Sequence, residues 1–219
     1  STLFKKGQDS LPENYRPLSL LCIGYKVLAM LILYRLQLGG VESRLSSTQF
    51  GFRSGRSTRE PTLMLQTLLA EALAAADGTL SLILLDWEKA FDRLSPAQML
   101  TALRQFGVPA AVCDMIGAIY ADRTFVVSDA YGDSGRHRQH SGIAQGCPLS
   151  PYLFIIALSV ITATARRRMS ESVPPQTGDV DDITYADDTA VASTDPLLAQ
   201  IFLNHLIKVA AVFGLNPHW

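Results

Sequence analysis

The residues of this chain best suited to chemistry are carboxylates. Tyr185-Ala186-Asp187-Asp188 sets two adjacent acids between Ile183-Thr184-Tyr185 and Thr189-Ala190-Val191-Ala192, two runs with strand character. Asp is a poor strand former and a good turn former, so the Asp-Asp pair reads as the tip of a tight hairpin. Two like charges in one small volume raise each other's pKa, an arrangement that asks for a cation. A third acid, Asp86, ends the apolar run Leu80-Ser81-Leu82-Ile83-Leu84-Leu85, 101 residues before Asp187. If the two strands are neighbours, the carboxylates converge. Convergent carboxylates suit Mg²⁺, a hard cation that takes oxygen ligands and leaves room for substrate phosphates. Two such ions about 3.5–4 Å apart are the usual clamp for in-line phosphoryl displacement. The bland alternative is a solvated, idle surface turn, and the rest of the chain must decide.

The elements that would position these acids follow from the spacing of apolar residues and breakers. Residues 1–17 are polar and carry Pro12 and Pro17, which predicts loop or edge strand. A helix is predicted from Pro17 to about Leu38, stopped by Gly39-Gly40. Its apolar window, Leu18 to Tyr34, holds Lys26 and is bracketed by Arg16 and Arg35. That pattern predicts a buried amphipathic helix rather than a membrane span. Ser57-Thr58-Arg59-Glu60 is a capping box before a helix whose stripe is Leu63, Leu65, Leu68, Leu69, Ala72 and Leu73, with Asp77-Gly78 at its end. The near-continuous run before Asp86 predicts a central strand covered on both faces. Ser95-Pro96 caps a helix closed by Gly107, and Pro109 opens another to about Tyr120. Two short strands are expected around Gly132-Asp133-Ser134-Gly135. A long helix then runs from Pro148 or Pro151 to Met169, and a last one from Pro196 to about Phe213. The order, helices first and then strands and helices mixed, predicts an α+β fold.

Composition narrows the class without naming a function. The 219 residues are 48% hydrophobic and 18% charged, enough to bury a sizeable core. A net charge of −1 gives no overall electrostatic case for a polyanionic partner. Basic clusters exist at Lys5-Lys6 with Arg16, at Arg53, Arg56 and Arg59, at Arg136-His137-Arg138 and at Arg166-Arg167-Arg168, each as readily a solvated face. Cys22, Cys113 and Cys147 are widely spaced and odd in number. They argue for a reducing, intracellular compartment, nuclear or cytoplasmic, and against a disulfide framework. No signal peptide is visible, and the chain looks like a piece cut from something longer.

Two further segments bear on the acids. Asp86-Trp87-Glu88-Lys89-Ala90-Phe91-Asp92 turns out of the strand, and Gly142-Ile143-Ala144-Gln145-Gly146-Cys147-Pro148-Leu149-Ser150-Pro151 combines glycines that allow close backbone approach with prolines that start a helix. Together with Asn14-Tyr15-Arg16-Pro17-Leu18-Ser19-Leu20, Gln49-Phe50-Gly51-Phe52-Arg53 and Tyr185-Ala186-Asp187-Asp188, in this order, the chain resembles the reverse transcriptases of non-LTR (LINE-type) retrotransposons. Group II intron enzymes are more distant relatives on the same pattern.

The resemblance implies a right-hand polymerase, with fingers over about residues 1–80 and palm over 81–219. The palm would be a small antiparallel sheet backed by helices. It implies RNA-directed DNA synthesis, from dNTPs onto a DNA primer 3′-hydroxyl along an RNA template, with two Mg²⁺ ions or Mn²⁺ in their place. Asp86 and Asp187 match the metal-binding carboxylates, Asp188 the third acidic position, and the backbone carbonyl of Trp87 completes one metal shell. Phe91 matches the bulky residue under the nucleotide sugar that excludes a 2′-hydroxyl. Gln145 and Gly146 match the turn lining the nucleotide pocket. Arg16, with Lys6 or Lys5, matches contacts to the triphosphate. Gln49, Gly51 and Arg53 match a segment near the template.

The pattern departs from the family at Gly214-Leu215-Asn216-Pro217-His218-Trp219, where a Lys-Thr pair is expected and absent. On this reading no thumb or endonuclease accompanies the domain, and the chain alone is expected to be inactive or weakly active. A decayed scaffold module and an RNA-templated RNA polymerase are the competing readings. The intact acids count against the first, and Phe91 counts against the second.

Overall fold

The computed structural model describes residues 2–4, 7–8, 10–11, 14–75, 78–129, 132–174 and 179–218, without the side chains of Arg16, Pro17 and Asp129. The first elements are β1 (Thr2–Phe4), β2 (Tyr15–Pro17), α1 (Ile23–Leu38), α2 (Val41–Arg44), α3 (Arg59–Ala74) and β3 (Ser81–Trp87). The middle of the chain forms α4 (Ala90–Arg93), α5 (Pro96–Gln105), α6 (Ala110–Ala121), β4 (Thr124–Phe125), β5 (Ser128–Asp129), β6 (Gly132–Asp133) and β7 (His137–Arg138). The last part forms α7 (Ser150–Ser172), β8 (Asp181–Tyr185), β9 (Asp188–Ser193), α8 (Pro196–Val212) and β10 (Pro217–His218). The mixture of helices with antiparallel sheet is the α+β class the sequence predicts.

The organising element is a four-stranded antiparallel sheet in the order β10-β3-β9-β8. Its period-2 alternation sorts residues between two faces. Ile83, Leu85 and Trp87 of β3 and Val191 of β9 point into the main core with α5, α7 and α8. Helix α7 is buried on all sides over Tyr152 to Leu158, which fits a run that is apolar all round. Good caps fix the start of two helices. Ser95 Oγ accepts from the Gln98 N–H, and the Asp195 carboxylate accepts from Leu197 and Leu198 N–H.

Three expectations need correction. β3 is covered on one face only: Leu82 and Leu84 are 45% and 73% exposed, on the side that α3 only partly covers. The first long helix begins at Ile23, not Pro17. Pro17 instead closes a two-strand ribbon with Thr2, and the Ser19 N–H is spent on the Gln145 carbonyl at 2.8 Å. Nor is α1 buried. Ala29, Ile32 and Leu36 face the core, while Ile23 and Leu38 are 81% and 70% exposed. Among the described residues no helix is long and apolar enough to cross a membrane. The capping box before α3 forms on one side, through Glu60 accepting from the Ser57 N–H, which lowers the Glu60 pKa. Its expected end at Asp77 lies outside the described residues. β10, which pairs Pro217 with Trp87, is an element the sequence did not suggest.

The loop before α3 is stitched to the hairpin of β8 and β9. Thr184 donates its N–H to the Thr48 carbonyl at 2.8 Å, and Phe50 donates to the Thr184 carbonyl at 2.8 Å. Gly51 is glycine because the hairpin leaves no room: a Cβ there would lie 2.6 Å from the Ala186 Cα and overlap its backbone nitrogen.

Two outcomes are expected. Phe202→Ala, removing a ring with no exposed surface, should cost about 3–5 kcal/mol in urea-unfolding stability. Gly51→Ala should lower the melting temperature and perturb amide resonances of the 185–188 turn more than those of α5, since backbone cannot yield as a flexible side chain can; a variant that melts like the parent would contradict the close approach.

Candidate active site

The strand register brings the acids to one end and one face of the sheet. β3 pairs with β9 from Ser81↔Ser193 to Leu85↔Thr189, and one further step sets Asp86 opposite Asp188. On either side, Tyr185 pairs with Asp188 and His218 with Asp86. One row across the four strands therefore reads His218, Asp86, Asp188, Tyr185. Residues directly opposite in an antiparallel pair hold their Cβ atoms about 4.5–5.5 Å apart. Below the row lies a groove of about 300 Å³ lined by Leu84, Asp86, Ile183, Tyr185, Asp188 and Ala190. A larger cavity of about 540 Å³ opens at the other end of the sheet, near Gly78 and Ser193, away from the acids. The smaller groove is the one that adjoins Asp86 and Asp188.

The turn itself is one residue earlier than the sequence suggests. Ala186 and Asp187 form the two-residue tip, and Asp188 is already the first residue of β9. Asp187 is half-buried and Asp188 exposed. Ala186 has φ 59, in the left-handed region, a conformation that costs a side-chain-bearing residue about 1–2 kcal/mol. Strain of this kind persists only where the surroundings hold it.

The surroundings do hold it. Gln49 is 1% exposed, and its Oε1 accepts from the Gly51 N–H at 2.8 Å and the Ala186 N–H at 3.1 Å. Its Nε2 donates to the Ala186 carbonyl at 3.4 Å. Arg53, whose side chain is 8% exposed, donates to Glu42 Oε1 at 2.6 Å and to the carbonyls of Ser46, Gln49 and Glu42. Glu42 also accepts from the Tyr152 hydroxyl at 3.0 Å, and burial together with that carboxylate raises the Tyr152 pKa. The structure thus turns Gln49 and Arg53 inward.

The segment after β3 is built around aromatic rings. Trp87 is 2% exposed and its Nε1 donates to Thr189 Oγ1 at 3.3 Å, tying β3 to β9 beside the acids. Lys89 takes φ 47 and starts the single turn of α4 that carries Phe91. The Phe91 ring stacks on Phe154 at 5.0 Å, and Phe52 meets it edge-on at 6.2 Å. Phe52 is 48% exposed with φ 58, a wall beside Phe91 that sequence reasoning passed over. Its only signal was its place between Gly51 and Arg53.

The Gln145-Gly146 turn closes the other side. Gln145 Nε2 donates to Asp92 Oδ1 at 2.9 Å, and burial raises the Asp92 pKa against the opposing pull of that bond and of Lys89. Gly146 has φ 103, and a Cβ on it would lie 2.9 Å from the Ser19 carbonyl oxygen. The turn is therefore packed on the segment that follows Arg16, in β2. Lys5 and Lys6 lie outside the described residues, and of Arg16 only the backbone is described. Among the described residues no group of three or more His, Cys, Asp or Glu could hold a metal ion unaided.

The chain matches the family model described as reverse transcriptase (RNA-dependent DNA polymerase) over residues 4–218. It is 33% identical over 183 residues, 82% of its length, to the RNA-directed DNA polymerase from mobile element jockey of Drosophila melanogaster. It is 26% identical over 218 residues, 97% of its length, to the Pol polyprotein from type-1 retrotransposable element R2 of Popillia japonica. It is also 28% identical over 198 residues, 89% of its length, to the uncharacterized 149 kDa protein of transposon TX1 of Xenopus laevis. The chain spans 19%, 29% and 15% of those relatives' own lengths. Among solved structures, telomerase from Candida albicans superposes with a TM-score of 0.59 over 89% of this chain and 32% of its own, at 13% identity, a likeness of fold. The motif order, the row of acids and the family match over nearly the whole chain converge: the chain belongs to the reverse transcriptase (RNA-dependent DNA polymerase) family.

Proposed function

We propose that this chain is the nucleotidyl-transfer part of a retrotransposon reverse transcriptase, joining dNTPs to a primer 3′-hydroxyl along an RNA template. The observation that carries the reading is the strand register that sets Asp86 and Asp188 side by side, with Asp187 at the adjoining turn. In this reading residues 1–80 act as fingers and 81–219 as palm, although the Gln49↔Thr184 bridge makes their seam continuous.

Asp86 and Asp187 would hold the divalent ions, Mg²⁺ or Mn²⁺, with the Trp87 carbonyl beside them and Asp188 as the third acid. Carboxylate oxygens are the ligands a hard cation prefers, and such an ion keeps coordination positions for substrate phosphates. Bound there, the ions supply a lowered pKa for the attacking hydroxyl and charge neutralisation for the triphosphate. The protein's own residues do the positioning. Phe91, held rigid between Phe154 and Phe52, would press against the sugar and leave no space for a 2′-hydroxyl. The Gln145-Gly146 turn would line the base side of the pocket, its backbone pinned through Ser19. Arg16, with Lys6 or Lys5, would meet the triphosphate as cationic donors. Gln49, Gly51 and Arg53 would shape the template wall through their backbone, since the two long side chains are spent internally.

Primer extension on an RNA template tests this, with the 219-residue protein in excess over primer because the chain alone is expected to be weakly active. Asp187→Ala should lower incorporation by on the order of 10²-fold or more, the several kcal/mol a polarising cation contributes. Phe91→Ala should cut the preference for dNTP over NTP by roughly tenfold, the scale of a steric pocket wall. Extension insensitive to Asp187→Ala, or a parent that prefers NTP, would overturn the reading.

A further inference from the structure

We infer that Gln49 is a positioning residue for the catalytic hairpin: its buried carboxamide holds the Ala186-Asp187 turn in place and thereby aims the Asp187 carboxylate. The inference rests on the metal-binding role proposed above for Asp187.

Gln49 and Ala186 are separated by 137 residues yet bonded through both ends of one amide. The orientation of that amide is determined by its partners. Two N–H donors, those of Gly51 and Ala186, converge on one side and require the oxygen there; the Ala186 carbonyl on the other side requires the nitrogen. A flipped amide would set donor against donor. The residue is 1% exposed, so water cannot replace these bonds when they are lost.

What the amide grips is the one tip residue in the left-handed region, Ala186 at φ 59. Backbone rotation there swings the next residue, and the next residue is Asp187. Gly51 completes the grip, because the absence of a Cβ lets the loop backbone lie against Ala186. The parallel bridge Gln49↔Thr184 and the paired bonds of Thr184 with Thr48 and Phe50 fix the loop itself. The loop is therefore a rigid frame, and Gln49 is its point of attachment to the turn. A metal site tolerates little error in ligand placement, on the order of half an ångström. A group that orients a ligand without touching the ion commonly changes metal affinity by about 10–100-fold when removed.

The test uses the whole 219-residue protein and Mn²⁺ alone as probe. Gln49→Met keeps length and most of the volume while deleting both the acceptor and the donor. It should raise the Mn²⁺ concentration for half-saturation, read from the free-ion electron paramagnetic resonance signal, by about tenfold. It should also speed hydrogen exchange at the Ala186 amide by about tenfold or more, with the circular dichroism of the parent retained. Faster exchange without the Mn²⁺ shift marks a purely structural clamp and overturns the inference, as does a folded Gln49→Met protein unchanged in both. If Gln49→Met does not fold, Gln49→Asn, one methylene shorter, must show both effects, and its failure to do so overturns the inference equally. Asp187→Ala is the control that separates the two claims. If it weakens Mn²⁺ binding while Gln49→Met does not, only the positioning role fails. If it leaves Mn²⁺ binding unchanged, the metal reading fails and takes the positioning role with it.

Discussion

Everything at the candidate site depends on the antiparallel register between β3 and β9. Side chains alternate between the two faces of a strand, so a slip of one residue would carry Asp86 to the helix-packed face and Trp87 to the open one. The register is held from both directions. Ile83, Leu85 and Trp87 are drawn into the core beneath the sheet, and the Trp87 indole bonds to Thr189 across the strand pair. Burial of those three apolar side chains thus places a charged one where solvent, cation and substrate can reach it.

The same economy explains why the site is flanked by rigid but unusual backbone. Ala186, Lys89 and Phe52 all sit at positive φ without being glycine, and all three lie within the segments that surround the acids. Each is over-determined by neighbours: Ala186 by Gln49, Lys89 by its place between β3 and α4, Phe52 by the contact of its ring with Phe91. Strain gathered around one region and supported by buried polar bonds is the pattern expected where geometry matters more than local comfort.

Local signals made much of this legible. Pro196 and Ser95-Pro96 announced their helices because a first-turn proline, joined at Ser95 by a side-chain cap, acts within one turn of chain. The Asp-Asp hairpin was visible because poor strand formers stood between β-branched residues, although the tip falls one residue early. Properties set by distant packing were not legible. The exposed side of α1 carries Ile23, Val27, Leu31 and Leu38, and no count of apolar residues distinguishes such a face from a buried one. Leu82 and Leu84 read as core for the same reason. Gln49 and Arg53 read as polar residues for contact with a ligand, because nothing nearby in sequence shows that Ala186 and Glu42 consume their hydrogen bonds. β10 was invisible since a two-residue strand beginning with proline earns its assignment only from its partner, β3.

The stitching of residues 48–51 to residues 184–186 also carries a kinetic meaning. Contacts spanning some 136 residues of chain close late, because the entropy of loop closure must be met before they return anything. In a chain made from its N-terminus onward, the loop holding Gln49 exists long before the hairpin it grips, and β3 waits just as long for β9. The acids therefore come together only when these chain-distant pairings close. A chain arrested earlier could have most of its helices and none of its site.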